Sequence, residues 1–169
     1  MSAESISNAL FLIAAVICAA VLIVAIFPAI YTMTGTFGSA SHAADQNIRT
    51  DFKIVTVTNT GSDGQTVLAW MKNVGTAQIP LNDIQHSDVF CGDMGNFNRL
   101  AYTGNNPPGY GYWTAVLSDL NHNGYWDPGE TLEVIGQTSA TNPITGQNDV
   151  YFQFVLPNGI SRSTQFAPS

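Results

Sequence analysis

The sequence has little charge, and positive charge is the scarcest. Charged residues make up 10% of the 169 residues, and five Lys plus Arg stand against twelve Asp plus Glu, for a net charge of −7. A protein that binds nucleic acid needs clustered cations to displace counterions from the phosphate backbone. The cations are dispersed: they are Arg49, Lys53, Lys72, Arg99 and Arg162. The composition therefore excludes nucleic-acid binding and argues against a polybasic contact with anionic lipid.

Catalytic signatures are absent as well. The sequence has no G-x-S-x-G elbow, no Walker loop and no G-x-G-x-x-G fingerprint. Its two cysteines, Cys18 and Cys91, lie in very different surroundings, so no disulfide is expected, and Cys91 is interpreted as a core residue. His42, His86 and His122 stand apart without the spacing of zinc ligands. We therefore expect a protein that is not an enzyme.

A long apolar run near the N-terminus is the first positive feature. Residues 6–33 contain no charged side chain, and about 20 helical residues cross a hydrocarbon core of about 30 Å. No basic residue precedes the run, so we expect a retained membrane helix over residues 1–33 and not a cleaved signal. Residues 34–48 are expected to form a linker or a helix extension, and residues 49–169 one extracytoplasmic domain.

The body of the chain reads as short alternating segments bounded by Gly, Pro, Asn or Asp, which is typical of a β-sandwich. Residues 51–58 and 65–74 predict a first hairpin, with Phe52, Ile54, Thr56 and Thr58 on one face of the first strand. The turn Pro157-Asn158-Gly159 predicts a closing hairpin. Further strands are expected at residues 88–91, 99–103, 110–117, 131–135, 150–156 and 160–166, so the fold class is mainly β with about eight antiparallel strands.

One segment, residues 119–130, satisfies the twelve-position pattern of a calcium loop. Oxygen donors at its positions 1, 3, 5, 7, 9 and 12 are Asp119, Asn121, Asn123, the Tyr125 carbonyl, Asp127 and Glu130. Pro128 and Gly129 exclude the exiting helix of an EF-hand, so the loop would lie between strands. Three carboxylates predict a weak Ca²⁺ site, and the alternative is an Asx-rich turn that binds no ion.

The apolar N-terminal helix and four segments of the body together resemble archaellar protein G, a component of the archaeal flagellum. The segments are IRTDFKIV at residues 48–55, VLAWMKNVG at 67–75, DVFCGD at 88–93 and YWDPGETL at 125–132. The resemblance implies an immunoglobulin-like β-sandwich held in the pseudoperiplasm. It also implies a homo-oligomer, the sister protein F as a partner, contact with the surface-layer protein, and a role as a stator that holds the motor to the cell envelope.

Two other functions remain open. Glu4 near the N-terminus is reminiscent of pilin-type subunits, so the chain would then be an archaellin or pilin whose helices pack in a filament core outside the cell. The absence of a basic leader before the apolar run favours the stator. A surface hydrolase with a calcium-stabilised fold would need a cleft of convergent titratable residues, which the sequence does not indicate.

Overall fold

One helix, α1, occupies the N-terminal part of the chain from Ser2 to Arg49. The structure is a computed structural model that describes residues 2–60 and 64–168. Large apolar side chains between Ile6 and Met33 are exposed around the helix, and a helix that is apolar on all faces belongs in lipid or in a core. By length and composition α1 is able to cross a membrane.

Residues 34–48 are helical, although they are rich in Thr, Ser and Gly. Hydroxyl groups in this part of the helix donate to carbonyl oxygens three or four residues earlier: Thr36 to Thr32 and Met33, and Ser39 to Gly35 and Thr36. Such bonds satisfy the side chain without interrupting the backbone ladder. The connector is therefore an extension of the helix.

The chain divides into two compact units, residues 1–45 and 46–169. Among its described residues, the second unit contains ten strands and one short helix after the end of α1. They are β1 (Phe52–Thr60), β2 (Thr66–Asn73), β3 (Ile79–Pro80), α2 (Leu81–Gln85), β4 (Asp88–Asp93), β5 (Asn96–Tyr102), β6 (Tyr112–Leu117), β7 (Tyr125–Trp126), β8 (Thr131–Gln137), β9 (Val150–Val155) and β10 (Ser161–Phe166).

Eight of these strands follow the order β1-β2-β8-β6-β5-β4-β9-β10, and β3 pairs with β7. All pairs are antiparallel except β5 with β6, which are joined by a short parallel contact at Ala101 and Tyr102. That contact separates a layer of β1, β2, β8 and β6 from a layer of β5, β4, β9 and β10. The prediction of an N-terminal apolar helix followed by a β-sandwich of about eight strands is confirmed.

Aromatic side chains from both layers meet in the core. Phe154 on β9 lies edge-on to Phe52 and to Trp113 on the opposite layer, with ring centroids 5.5 Å and 5.9 Å apart. Cys91, as interpreted from the sequence, is a core residue, and burial raises the pKa of its thiol to about 12. The two layers therefore share one hydrophobic core.

The predicted facing of β1 is wrong after Ile54. The register between β1 and β2 shifts between Ile54 and Thr56, so Val55 is a bulge. An extra residue reverses the alternation, and Val57, not Thr56 or Thr58, packs against the core. The alternation of apolar and polar residues does not reveal a bulge, because threonine is common on both faces of a strand.

Candidate calcium loop

The predicted calcium loop joins β6 to β8 and contains the short strand β7. The end of the loop is fixed to β2, because the backbone N–H of Asn73 donates to the Glu130 carbonyl and the N–H of Gly129 donates to the Asn73 carbonyl. The Asn73 side chain donates to the Trp126 carbonyl at 2.8 Å. The end of the loop is therefore held against β2, and the chain enters strand β8 without a helix.

Asp119 opens the loop and gathers its first turn. Its carboxylate accepts backbone N–H groups of His122 at 2.6 Å, Asn123 at 3.3 Å and Gly124 at 2.9 Å. His122 and Gly124 adopt positive φ values of 59° and 76°, which wrap these N–H groups around the carboxylate. The bond from Gly124, with smaller contributions from the other two, lowers the pKa of Asp119 below its ordinary value.

Asp127 is the second centre of the loop and is only 9% exposed. Three side-chain amides donate to it: Asn121 at 2.7 Å, Asn123 at 2.8 Å and Gln78 at 2.7 Å. The bond from Asn121 contributes most to a lowered pKa of Asp127, and the nearby charge of Asp119 opposes it weakly. Both aspartates are therefore ionised at neutral pH.

Glu130 closes the loop from its C-terminal end. One of its carboxylate oxygens accepts the Leu120 N–H and the other accepts the Asp127 N–H, each at 3.0 Å. Its backbone carbonyl accepts the indole N–H of Trp126 at 2.9 Å. Glu130 is thus buried, at 7% exposure, and joins the start of the loop to its end.

The structure brings all five predicted side-chain ligands into one hydrogen-bonded network. Tyr125, predicted to contribute its carbonyl, donates its N–H to the Asn123 side-chain oxygen at 2.8 Å. The asparagine amides face Asp127 as donors, so a cation here would require Asn121 and Asn123 to turn their oxygens inward. Within the described residues no three His, Cys, Asp or Glu side chains are grouped closely enough to hold a metal ion. Calcium binding stays a prediction.

Sequence reasoning missed Gln78. It lies far from the loop in the chain and reaches Asp127 because β3 pairs with β7, through Ile79 opposite Trp126 and Pro80 opposite Tyr125. The calcium pattern counts positions within twelve consecutive residues, so it contains no signal for a residue on another strand.

Comparison with known proteins supports one family. Residues 2–166 match the archaeal-type flagellin family. An uncharacterized protein of Archaeoglobus fulgidus is 27% identical over 99% of each chain. The archaellum periplasmic stator protein FlaG of Sulfolobus acidocaldarius is 30% identical, with a TM-score of 0.53 over 69% of this chain and 99% of that chain.

Two further solved structures share the fold. The archaellum periplasmic stator protein complex FlaF and FlaG of the same organism matches at 30% identity and a TM-score of 0.52, over 68% of this chain and 87% of that chain. The archaeal flagellum of Methanospirillum hungatei matches at 15% identity and a TM-score of 0.65, over 97% of this chain and 93% of that chain. At 15% identity, the likeness to the archaeal flagellum shows a shared fold and nothing more.

The family match and the 30% identity with a stator protein place the chain in the class of structural archaellum components. The chain belongs to the archaeal-type flagellin family. The resemblance to archaellar protein G is confirmed by the identity with FlaG.

Proposed function

We propose that this chain is a non-catalytic, membrane-anchored stator component of the archaellum. The observation that supports it most is the 30% identity with the stator protein FlaG over 99% of that chain. Helix α1 would cross the cytoplasmic membrane, and the sandwich would lie in the pseudoperiplasm. There it would hold stationary partners against the torque of the motor.

Partners follow from the same similarity. FlaG forms a complex with FlaF in Sulfolobus acidocaldarius, so a protein F-like sandwich is the first candidate partner, and a second copy of this chain is another. Contact with the surface-layer protein is the remaining element of the proposal, because a stator must be fixed to something that does not rotate.

A non-catalytic role agrees with the side chains that line a cavity in the second unit. A cavity of about 240 Å³ is lined by Gln46, Gln78, Asp83 and Asn158 among others, and Asp83 supplies its single carboxylate. A candidate active site is recognised by several titratable side chains that converge on one pocket, and a single carboxylate does not form such a group. Within the described residues, the aspartates with shifted pKa values, Asp119 and Asp127, lie in the loop instead.

Calcium binding by residues 119–130 completes the proposal. Two aspartates that stay ionised at neutral pH would supply charge for a hard cation, and Glu130 is the third carboxylate of the twelve-position pattern. The ion would brace the connection between β6 and β8 and would take no part in a reaction.

Immunogold electron microscopy of source cells, with an antibody to the sandwich, tests the stator role. Label confined to the envelope at filament bases is the expected result. Label along the filament shafts would instead support the second candidate, a filament subunit. That candidate is favoured by the likeness to the archaeal flagellum, which covers the helix and the sandwich together.

A further inference from the structure

One cavity of the second unit lies where the last turn of α1, strand β3, helix α2 and the turn between β9 and β10 meet. We call it the β3 cavity. Its volume is about 240 Å³, and the buried side chains of Ile79 and Leu156 form part of its wall. Its polar lining residues include Gln46, Gln78, Asp83 and Asn158.

The size of the β3 cavity limits what it can hold. Pockets for drug-sized ligands have volumes of about 300–1,000 Å³, and this cavity is smaller. One long side chain of another protein suits such a volume better than a cofactor does. Ile79 and Leu156 offer an apolar wall for the aliphatic stem of that side chain. The size therefore favours a side chain with an apolar stem and a polar head.

Asp83 gives the β3 cavity a carboxylate without a counter-ion. The residue is half-buried, and within the described residues its carboxylate forms no ion pair and accepts no hydrogen bond. The lining residues, all in the described part of the chain, include no Lys, Arg or His. Asp127 adds negative charge close by, because Gln78 donates to it at 2.7 Å. A partly desolvated carboxylate in such surroundings favours a cationic ligand.

Amide oxygens add neutral acceptors to the same lining. The Gln78 amide nitrogen is used by Asp127, and its oxygen accepts no hydrogen bond within the described residues. The Gln46 side chain has no partner there either. The cavity thus offers one negative charge and several acceptors. A guanidinium group matches this set, because it is planar, has five N–H donors in a fixed fork and is more weakly hydrated than an ammonium group.

We propose that the β3 cavity binds the arginine side chain of a partner protein. Asp83 accepts two N–H groups of the guanidinium, and the amide oxygens of Gln46 and Gln78 accept others. The stem of the arginine lies against Ile79 and Leu156. This inference rests on the proposed function in one respect only, namely that a stator holds partner proteins, and it assigns a chemistry to one such contact.

The arginine comes from a protein of different sequence. This chain has three arginines, Arg49, Arg99 and Arg162. Arg99 and Arg162 are each paired with an aspartate of their own chain, and Arg49 also interacts within its own chain. A second copy would have to break one of these contacts to fill the cavity, whereas an arginine on an exposed loop of another protein would not.

Binding of single amino-acid derivatives to the full chain in detergent micelles tests the cavity. The probe is N-acetyl-arginine amide, and its control is N-acetyl-citrulline amide, which replaces the guanidinium by a neutral urea of the same shape. Shifts of the backbone amide NMR signals of Ala77, Gln78 and Asp83 measure the binding. For one side chain we expect a Kd of about 1 mM. The citrulline derivative should bind at least about tenfold more weakly.

Substitutions in the lining test the assigned contacts. Asp83→Asn should weaken the binding of N-acetyl-arginine amide about tenfold, because a neutral amide does not pair with the guanidinium charge. Asp149→Asn, at an exposed position outside the cavity, is the matched control and should bind like the parent. Ala77→Leu, at a half-buried lining position, should prevent binding by filling the cavity. The Tm of each variant, measured in the same micelles, shows whether it is folded.

Three results would overturn the proposal. They are equal binding of the arginine and citrulline derivatives, tighter binding of N-acetyl-lysine amide than of the arginine derivative, and the absence of shifts at the three reporter residues. Undiminished binding by folded Asp83→Asn would do the same. None of these outcomes depends on where the chain lies in the cell. A failure here therefore leaves the stator role standing, and an immunogold result against the stator leaves the cavity standing.

Discussion

The backbone around Gly75 packs closely against the segment that joins α1 to β1. The Arg49 carbonyl accepts the N–H groups of Thr76 and Ala77, and the Asp51 carbonyl accepts those of Val74 and Gly75. A side chain at Gly75 would meet backbone on this crossing, because an added Cβ would lie 2.4 Å from the Arg49 oxygen and 2.5 Å from the Asp51 nitrogen. Gly75 is therefore required for close approach.

Gly75→Ala should lower the free energy of unfolding by about 2–3 kcal/mol, because backbone must move to make room for the methyl group. Gly104→Ala is the matched control, since an added Cβ there meets no atom within 4 Å. Thermal or urea unfolding of the two variants in one detergent measures the difference. Equal stabilities would contradict the assigned packing.

The lowered pKa values of Asp119 and Asp127 predict a loss of stability in acid. A carboxyl group with a depressed folded pKa stabilises the fold above the ordinary aspartate pKa of about 3.9, and that stability is lost as the pH falls through the lower folded pKa. Asp127→Asn should therefore reduce the Tm at pH 7, and its deficit against the parent should shrink below about pH 4.

The measurement is a series of thermal melts from pH 7 to pH 3. Asp149→Asn, at an exposed position outside the loop, is the control and should follow the parent throughout. If the deficit of Asp127→Asn stayed constant across that range, the carboxylate would not be the source of the stabilisation.

If residues 119–130 bind calcium, millimolar Ca²⁺ should raise the Tm of the parent, and Mg²⁺ should raise it less, because Mg²⁺ demands near-ideal octahedral geometry whereas Ca²⁺ accepts six to eight oxygens in flexible geometry. Asp119→Asn with Asp127→Asn should abolish the increase, whereas Glu133→Gln, outside the loop, should retain it. An equal response of both variants would refute the site and leave residues 119–130 as an Asx-rich turn.

At the scale of elements, sequence patterns located most of the fold. The apolar run predicted α1, and Gly, Pro, Asn and Asp boundaries predicted the eight long strands to within about three residues at either end. The bulge at Val55 and the pairing of β3 with β7 were beyond prediction, since both arise from contacts between distant segments. The sequence does not decide whether residues 34–48 form a linker or a helix extension, because Thr, Ser and Gly have low helix propensity while the apolar helix before them can continue.

Removal of residues 1–45 tests the division between anchor and body. All core residues lie beyond Arg49, so residues 46–169 should form a soluble domain with one cooperative thermal transition. The full chain should stay in the membrane pellet after washing with high salt and with alkaline carbonate. A truncated domain without a cooperative transition would show that the first unit is needed for folding.

At the scale of the whole molecule, an apolar anchor and a rigid sandwich suit attachment better than chemistry. Both outer faces of the sandwich contain exposed apolar side chains, Val116 on one layer and Phe97 on the other. A stator needs two kinds of contact, one with the membrane and one with stationary neighbours, and the two units separate these tasks. The calcium loop, if loaded, would stiffen one end of the layer of β1, β2, β8 and β6.

Quantitative mass spectrometry of sheared and purified filaments tests the central claim most directly. The account predicts that this chain stays with the membrane fraction and is absent from filaments at the abundance of the filament subunits. Its recovery in the filaments at stoichiometric abundance would contradict the stator role and make the chain a filament subunit.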